Sequence, residues 1–345
     1  MFLVFAVTAR CSARCSFCFY ADRVATSDSD TELRLDEIRE LSGRCGRIPY
    51  LLISGGEPVL REDLEELVSL FVENAGASFV TIPTNGLHPD RTVKLFSALV
   101  RRFPSVHFRA AFSIDYPDKR HDEARGAAGC LERLLEGADR IRTLRDSNSN
   151  LTMEVVSVYA PWNASGMSAL RDWVRERIGP DNHELHALRP EWPALLAEGI
   201  DRDSLIAELG EFRRIGRRKE SRPLSPFFRA LNDTYHEVLG RVAAGRFCCT
   251  CRAGERIVTL DETGRVRLCE LRSEVLGDLR DWGFDLTGLL HGSEARRIVR
   301  EMQDSRCMCT WECAVSTNIV FSPRMYPCLA ARVLRHALSR PGGMR

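Results

Sequence analysis

Residues 11–20 read CSARCSFCFY. Cys11, Cys15 and Cys18 stand in the spacing C-x3-C-x2-C, directly after the apolar run FLVFAV at 2–7. Such a run reads as a buried strand. A loop leaving its end can turn all three thiolates toward one centre. A closed structural zinc site takes four protein ligands, and no fourth is local. A 4Fe–4S cluster held by three thiolates keeps one iron open for a substrate or cofactor atom. Three cysteines here therefore read as a reactive cluster, against a structural or zinc reading that needs a distant ligand.

The chain around this loop alternates two periodicities. Short apolar or β-branched runs occupy 50–54, 78–83, 106–114, 151–159 and 183–188. Between them lie helical stripes: Leu64, Leu67, Val68, Phe71 and Val72; Leu131, Leu134, Leu135, Ala138 and Ile141; Met167, Leu170, Val174 and Ile178. Weaker helices fit 35–42 and 90–102. Six strands, each followed by a helix or linker, predict an α/β fold with a parallel sheet, either doubly wound or a partial barrel. In both, active residues gather at the C-terminal ends of the strands. GGEP (55–58), TNG (84–86) and SIDY (113–116) fall there.

The chain has 345 residues, enough for more than one core. Hydrophobic content of 44% and a net charge of +1 describe a globular protein without a field that recruits nucleic acid or anionic membrane. No apolar run is long enough to span a bilayer. The start, MFLVFAVTAR, lacks the basic region and cleavage site of a secretory signal. The expectation is a cytoplasmic protein with no nucleic-acid or membrane partner.

The 13 cysteines are clustered. Cys248, Cys249, Cys251 and Cys269 form a second group, and Cys307, Cys309 and Cys313 a third. Clustering and an odd total favour metal–thiolate sites over a disulfide framework. Residues 256–270 hold two β-rich runs around Asp261-Glu262-Thr263-Gly264, which predicts a hairpin with Cys251 and Cys269 at its two ends. A helix is expected near 288–303. Thiolates from these loops suit a fully ligated cluster or a four-thiolate zinc site, and spacing alone does not choose. Cys45 and Cys130 read as packing residues on helices, and His183 and His186 as structural. Arg189 and Glu154 are candidates for the barrel mouth. The basic run RRIGRRKESRP (213–223) reads as a solvated helix face.

C-x3-C-x-(aromatic)-C, with Phe17 at the aromatic position, resembles the signature of the radical S-adenosylmethionine (SAM) enzymes. The resemblance implies a partial (β/α)6 TIM-like barrel over residues 1–190, with a 4Fe–4S cluster on Cys11, Cys15 and Cys18. SAM would chelate the open iron and be cleaved to a 5′-deoxyadenosyl radical that takes a substrate hydrogen. Gly55, Gly56, Glu57 and Pro58 are similar to the family's GGEP motif, whose glycines would let backbone carbonyls approach the SAM ammonium. Asn85 is similar to a common family loop. Ser113 would reach the ribose or carboxylate, Asp115 would face substrate, Arg125 would pair with the SAM carboxylate, and Phe17 would lie against the adenine. Tyr116 and Pro117 depart from the family pattern, where Gly follows the aspartate.

C-x-A-G followed by G-x4-C resembles the SPASM or shortened twitch extension. This implies a small cysteine-rich α+β domain (246–320) holding an auxiliary 4Fe–4S cluster, after a helical connector (191–245) and before a tail (321–345). Cys251 and Cys269 are the expected ligands, completed by two of Cys307, Cys309 and Cys313, with Cys309 and Cys313 better spaced. A second auxiliary cluster would draw on Cys248, Cys249, Cys307 and Cys328. The expected substrate is a sugar- or nucleoside-type small molecule, undergoing dehydrogenation or rearrangement. A strand beginning at residue 2, with no separate leader-binding segment before it, tilts that reading away from long peptides. A peptide-modifying enzyme is the alternative within the family. A non-catalytic zinc or iron–sulfur module is the alternative outside it. An external electron donor such as flavodoxin or ferredoxin is implied.

Overall fold

The N-terminal apolar run forms β1 (Phe2–Ala6), buried along its whole length. The computed structural model describes residues 1–189, 201–214 and 225–338. The RPEWP stretch beyond Arg189, most of the basic run from 213 and the last residues of the tail lie outside these. After β1 come α1 (Ala21–Ala25), α2 (Leu35–Arg44), β2 (Tyr50–Ser54), α3 (Leu64–Ala75), β3 (Phe79–Thr84), α4 (Pro89–Arg102) and β4 (His107–Ser113). Then follow α5 (Arg120–Arg125), α6 (Cys130–Ser147), β5 (Leu151–Tyr159), α7 (Met167–Trp173) and β6 (Asn182–Ala187). Each strand starts and ends within two residues of the run that predicts it. The α3 stripe is buried as expected, and the helix stops at Gly76, whose φ of 67° is left-handed.

The six strands are parallel in the order β6-β5-β4-β3-β2-β1, the α/β sheet of a partial barrel. Parallel strands are covered on both faces, so both sides of β1 are apolar. Leu3 and Phe5 pack with Leu51, Ile53, Val80 and Ile82 in the main core. Phe2 and Val4 face the other way, where Phe2 stacks on Tyr50 with ring centroids 4.2 Å apart.

The expected hairpin is β7 (Ile257–Leu260) and β8 (Arg265–Arg267), followed by a short β9 (Gly277–Asp278). It does not stand apart. β7 lies parallel to β1, pairing Phe2 with Ile257 and Phe5 with Leu260, so the hairpin continues the barrel sheet. Its turn also grips the first cysteine loop: Tyr20 and Arg23 both donate to the Glu262 carboxylate, and the Leu33 N–H donates to the Glu262 carbonyl at 2.7 Å.

The remaining helices are α8 (Arg202–Arg214), α9 (Ser225–Ala243), α10 (Leu286–Leu290), α11 (Ser293–Asp304), α12 (Glu312–Val320) and α13 (Tyr326–Leu338). The expected helix near 288–303 is two, broken at Gly292. α9 packs on α8, α12 and α13. His336 in α13 reaches Asp233 at 2.7 Å, which ties the tail to the connector.

Candidate active site

The first cysteine loop is held by backbone bonds from two sides. The Gly56 N–H donates to the Thr8 carbonyl and the Glu57 N–H to the Arg10 carbonyl, both at 2.8 Å. The Arg14 N–H donates to the Arg125 carbonyl at 2.8 Å. A Cβ on Gly56 would lie 2.2 Å from the Arg10 carbonyl oxygen, and one on Gly55, at φ +121°, 2.2 Å from that of Thr8. The glycines are thus needed for packing one loop on the other, a reason the sequence reading did not contain. Gly56→Ala is expected to cost about 1–3 kcal/mol by overpacking and to lower the thermal midpoint by about 2–4 °C per kcal/mol. An unchanged midpoint would reject this reason.

Cys11, Cys15 and Cys18 are half-buried and line one cavity of about 790 Å³. Burial holds the Cys11 thiol above its usual range, as do the charges of Glu57, Cys15 and Cys18. The Ala13 N–H, at 3.4 Å from the Cys11 sulfur, works the other way. Asn85 Nδ2 lies 3.7 Å from the same sulfur, and an Arg125 guanidinium nitrogen 3.7 Å from that of Cys15. Cys130, read as a packing residue, is fully buried against this loop with Ala13 and Leu87.

Beside this loop, Glu57 is 1% exposed. Its Oε2 accepts the Asn85 N–H at 2.7 Å, while Oε1 is buried without a partner. Burial pushes its carboxyl up to about 7, against the pull of that hydrogen bond. Gly55, Gly56, Asn85, Ser113, Arg125 and Phe17 share the cavity wall. Arg125 stands over the Phe17 ring at 5.4 Å.

Cys251, Cys269 and Cys309 are buried together in the core beneath Phe2 and Val4. Burial pushes the Cys269 thiol up to about 12, with Cys251 and Cys307 adding to it. Cys309 is raised by burial and then by Cys251, Cys269 and Cys307. Cys269 and Cys309 thus each neighbour both Cys251 and Cys307. Among the described residues, no three His, Cys, Asp or Glu side chains close around a single metal ion.

The chain's first half matches the model of the radical SAM superfamily over residues 5–153. Residues 5–153 are a radical SAM domain. The chain is similar to a GTP 3',8-cyclase of Alkaliphilus oremlandii, 30% identical over 38% of this chain and 40% of the relative. It is similar to an AdoMet-dependent heme synthase of Methanosarcina barkeri, 34% identical over 39% of this chain and 37% of the relative. A GTP 3',8-cyclase of Peptoclostridium acidaminophilum is 24% identical over 84% of this chain and 86% of its own. The first two matches thus span less than half of the relatives. In fold, the chain is similar to anSMEcpe with bound AdoMet, at a TM-score of 0.61 and 14% identity over 97% of this chain and 98% of that one. Radical SAM enzymes use a 4Fe–4S cluster and SAM. The three-thiol loop and the partnerless Glu57 oxygen of this radical SAM domain fit those groups.

Several sequence expectations for the radical SAM domain change in the structure. Asp115 does not face the cavity. It is 2% exposed, receives Arg125 at 2.5 Å and accepts the Val158 N–H at 2.9 Å, which makes it the anchor of Arg125. Pro58 is off the wall too, buried in the turn Pro58–Leu60. Arg189 is held by Glu270 at 2.5 Å and Glu312 at 2.6 Å, over the Phe19 ring. His183 is structural as read, 2.8 Å from Ser157 Oγ, but His186 lies on the cavity wall. Cys313 packs at the edge of the cysteine core and also lines the cavity. α12 begins at Glu312, and its first turn points Cys313 into the cavity, near Glu312, Glu270 and Arg189. Cys307 and Cys309, in the loop before it, stay with Cys251 and Cys269. Cys249 is a neighbour of Cys248 and Cys251, and Cys328 sits half-buried on α13.

Sequence reasoning missed Asn182, Glu184, Glu270, Glu312, Tyr235 and Trp311 on the same wall. The signal for two of them was present: Asn182, Glu184 and His186 recur at the period of a strand.

Proposed function

We propose that this chain is a radical SAM oxidoreductase acting on a small molecule, with a second, auxiliary 4Fe–4S cluster. The observation that carries the reading is a single cavity lined by three thiols and, beside them, a buried carboxylate oxygen without a partner. Cys11, Cys15 and Cys18 would hold the first cluster. Glu57 would accept the SAM ammonium, and Ser113, Asn85, Phe17 and Arg125 would contact the rest of SAM, with Arg125 oriented by Asp115. Bound together, cluster and SAM supply hydrogen-atom abstraction from substrate. The apolar wall of Phe2, Tyr50, Leu52 and Phe79 excludes water from that space. A cavity of about 790 Å³ suits a small molecule.

Cys251, Cys269, Cys307 and Cys309 are the proposed auxiliary ligands. They complete a four-thiolate set, so this cluster is read as a carrier of electrons. The electron donor would be a small redox protein such as flavodoxin or ferredoxin. Among the described residues, no helix is long and apolar enough to cross a membrane.

The test is anaerobic reconstitution followed by SAM and dithionite. 5′-Deoxyadenosine is the expected product, and its absence with and without added small molecules rejects the reading. Glu57 adds a pH signature. Its carboxyl is raised to about 7, so below that pH SAM must displace a proton to reach the carboxylate. Apparent SAM affinity is expected to fall about tenfold per pH unit below 7 and to level off above it. Glu57→Gln should weaken binding and flatten that profile. A wild-type profile flat from pH 5.5 to 8 would contradict the assignment.

A further inference from the structure

The first cysteine loop has a second face. Ser12, Arg14 and Ser16 are exposed, while Cys11 and Cys15 are half-buried and Ala13 is buried. Ser12 and Ser16 lie off the cavity wall that the cysteines line. Each is the chain neighbour of a cysteine. One residue of backbone therefore separates the three-thiol site from solvent on this side.

The surroundings of this face are positive. The Ser12 hydroxyl meets His88 Nε2 at 3.0 Å. His88 immediately precedes α4, and α4 packs on α6. Arg91, in the first turn of α4, and Arg133, in the first turn of α6, are both exposed. Their charges reach His88 and, after burial, hold its imidazole below the usual range. Among the described residues, no carboxylate opposes them there. Arg14 is a third cation, its guanidinium donating to the Cys11 carbonyl at 2.6 Å and to that of Ala13 at 2.8 Å.

The acids of the same helices are engaged or turned aside. Arg140 holds both Asp90, at 2.7 Å, and Glu136, at 3.1 Å. Glu132 lies about 100° round α6 from Arg133. Arg10, at the start of the loop, is matched by Glu32 at 3.4 Å. Among the described residues, Arg14, Arg91 and Arg133 have no such carboxylate partner. The positive patch is thus local, on a chain whose net charge is only +1.

We infer that Ser12, Arg14, Arg91 and Arg133 mark the docking face for a small acidic redox protein, which delivers the electron that SAM cleavage consumes. Carboxylates of the partner would pair with the three arginines and set its redox centre over Ser12. In each encounter the donor is oxidised by one electron and the cluster on Cys11, Cys15 and Cys18 is reduced by one. No bond and no proton moves. Opposite charge speeds and orients such an encounter. It needs no large apolar interface, since contacts between electron-transfer partners are small. The inference rests on the radical SAM reading above and adds to it the partner's chemistry and place.

The full chain, reconstituted anaerobically, is titrated by calorimetry with oxidised flavodoxin and with ferredoxin, both acidic, and with cytochrome c, which is basic. At least one acidic protein is expected to bind, more weakly as salt is raised from about 50 to 300 mM. Arg91→Glu/Arg133→Glu should weaken that binding about tenfold or more and flatten its salt dependence. The control Arg47→Glu/Arg101→Glu reverses two exposed charges beside the starts of β2 and β4, at the other end of the strands. It should bind as wild type does. 5′-Deoxyadenosine formation is then measured with the reduced acidic partner and, separately, with dithionite. The Arg91→Glu/Arg133→Glu variant should lose about tenfold of the partner-driven rate and keep the dithionite-driven one. Binding by neither acidic protein, equal binding by cytochrome c, or equal losses in the two double variants overturns the inference. Absence of 5′-deoxyadenosine with dithionite in the wild type counts against the radical SAM reading. Failure of the binding predictions with that activity intact counts against this face alone.

Discussion

Changing Cys11, Cys15 and Cys18 together to alanine is expected to abolish 5′-deoxyadenosine formation and to remove about half of the iron. The reconstituted wild type should carry about eight irons per chain, one 4Fe–4S cluster at each site. The triple variant should keep about four. The reason is geometric. These three thiols share one cavity wall, and the auxiliary cysteines are packed in another core beneath β1. The triple variant should still fold, because the loop is held by backbone bonds to Gly56, Glu57 and Arg125 rather than by its thiols. Iron content unchanged from wild type, or SAM cleavage retained, would refute the assignment.

The second large effect separates Cys309 from Cys313. Cys309→Ser should lose the auxiliary cluster and leave about four irons per chain, while Cys313→Ser should keep about eight. Cys309 is buried among Cys251, Cys269 and Cys307, whereas Cys313 lies near Glu312, Glu270 and Arg189 on the cavity wall. Iron counts and electron paramagnetic resonance of the reduced protein read this directly. If both variants leave about four irons, the ligand set is Cys309 and Cys313 after all; if the two exchange results, it is Cys307 and Cys313. About twelve irons in the wild type would indicate a second auxiliary cluster drawing on Cys248, Cys249 and Cys328.

Both experiments bear on the division of labour in the cavity. The thiol loop and Glu57 form one end. Glu154, Glu184 and Tyr235 form the other, and Cys313 with Arg189 lies where the auxiliary loops reach the wall. Arg189 touches all of these surroundings: Phe19 follows Cys18, Glu270 follows Cys269, and Glu312 precedes Cys313. A residue read as a candidate for the barrel mouth lines the cavity and also links the two cysteine regions.

What could be read from the sequence was whatever depends on chain neighbours. Strand spans, the α3 stripe and the hairpin around Asp261–Gly264 follow from side-chain period and turn chemistry over a few residues. The first thiolate loop is of the same kind, since ten residues hold all three ligands and the strand that presents them. GGEP was also legible, although its glycines turn out to be needed for the Thr8 and Arg10 carbonyls.

The tertiary structure alone decided the rest. That β7 continues the sheet beside β1 follows from hydrogen bonds between residues such as Phe2 and Ile257, and strand periodicity does not name a strand's partner. Asp115 is an anchor because Val158 and Arg125 converge on it from β5 and α5. Spacing favoured Cys309 and Cys313, and α12, starting at Glu312, sets Cys313 on the cavity wall as well as at the edge of the cysteine core. The inner end of the cavity gathers carboxylates from β5, β6, the loop after β8 and α12. Each alone reads as an ordinary polar residue. Only the fold brings them onto one wall.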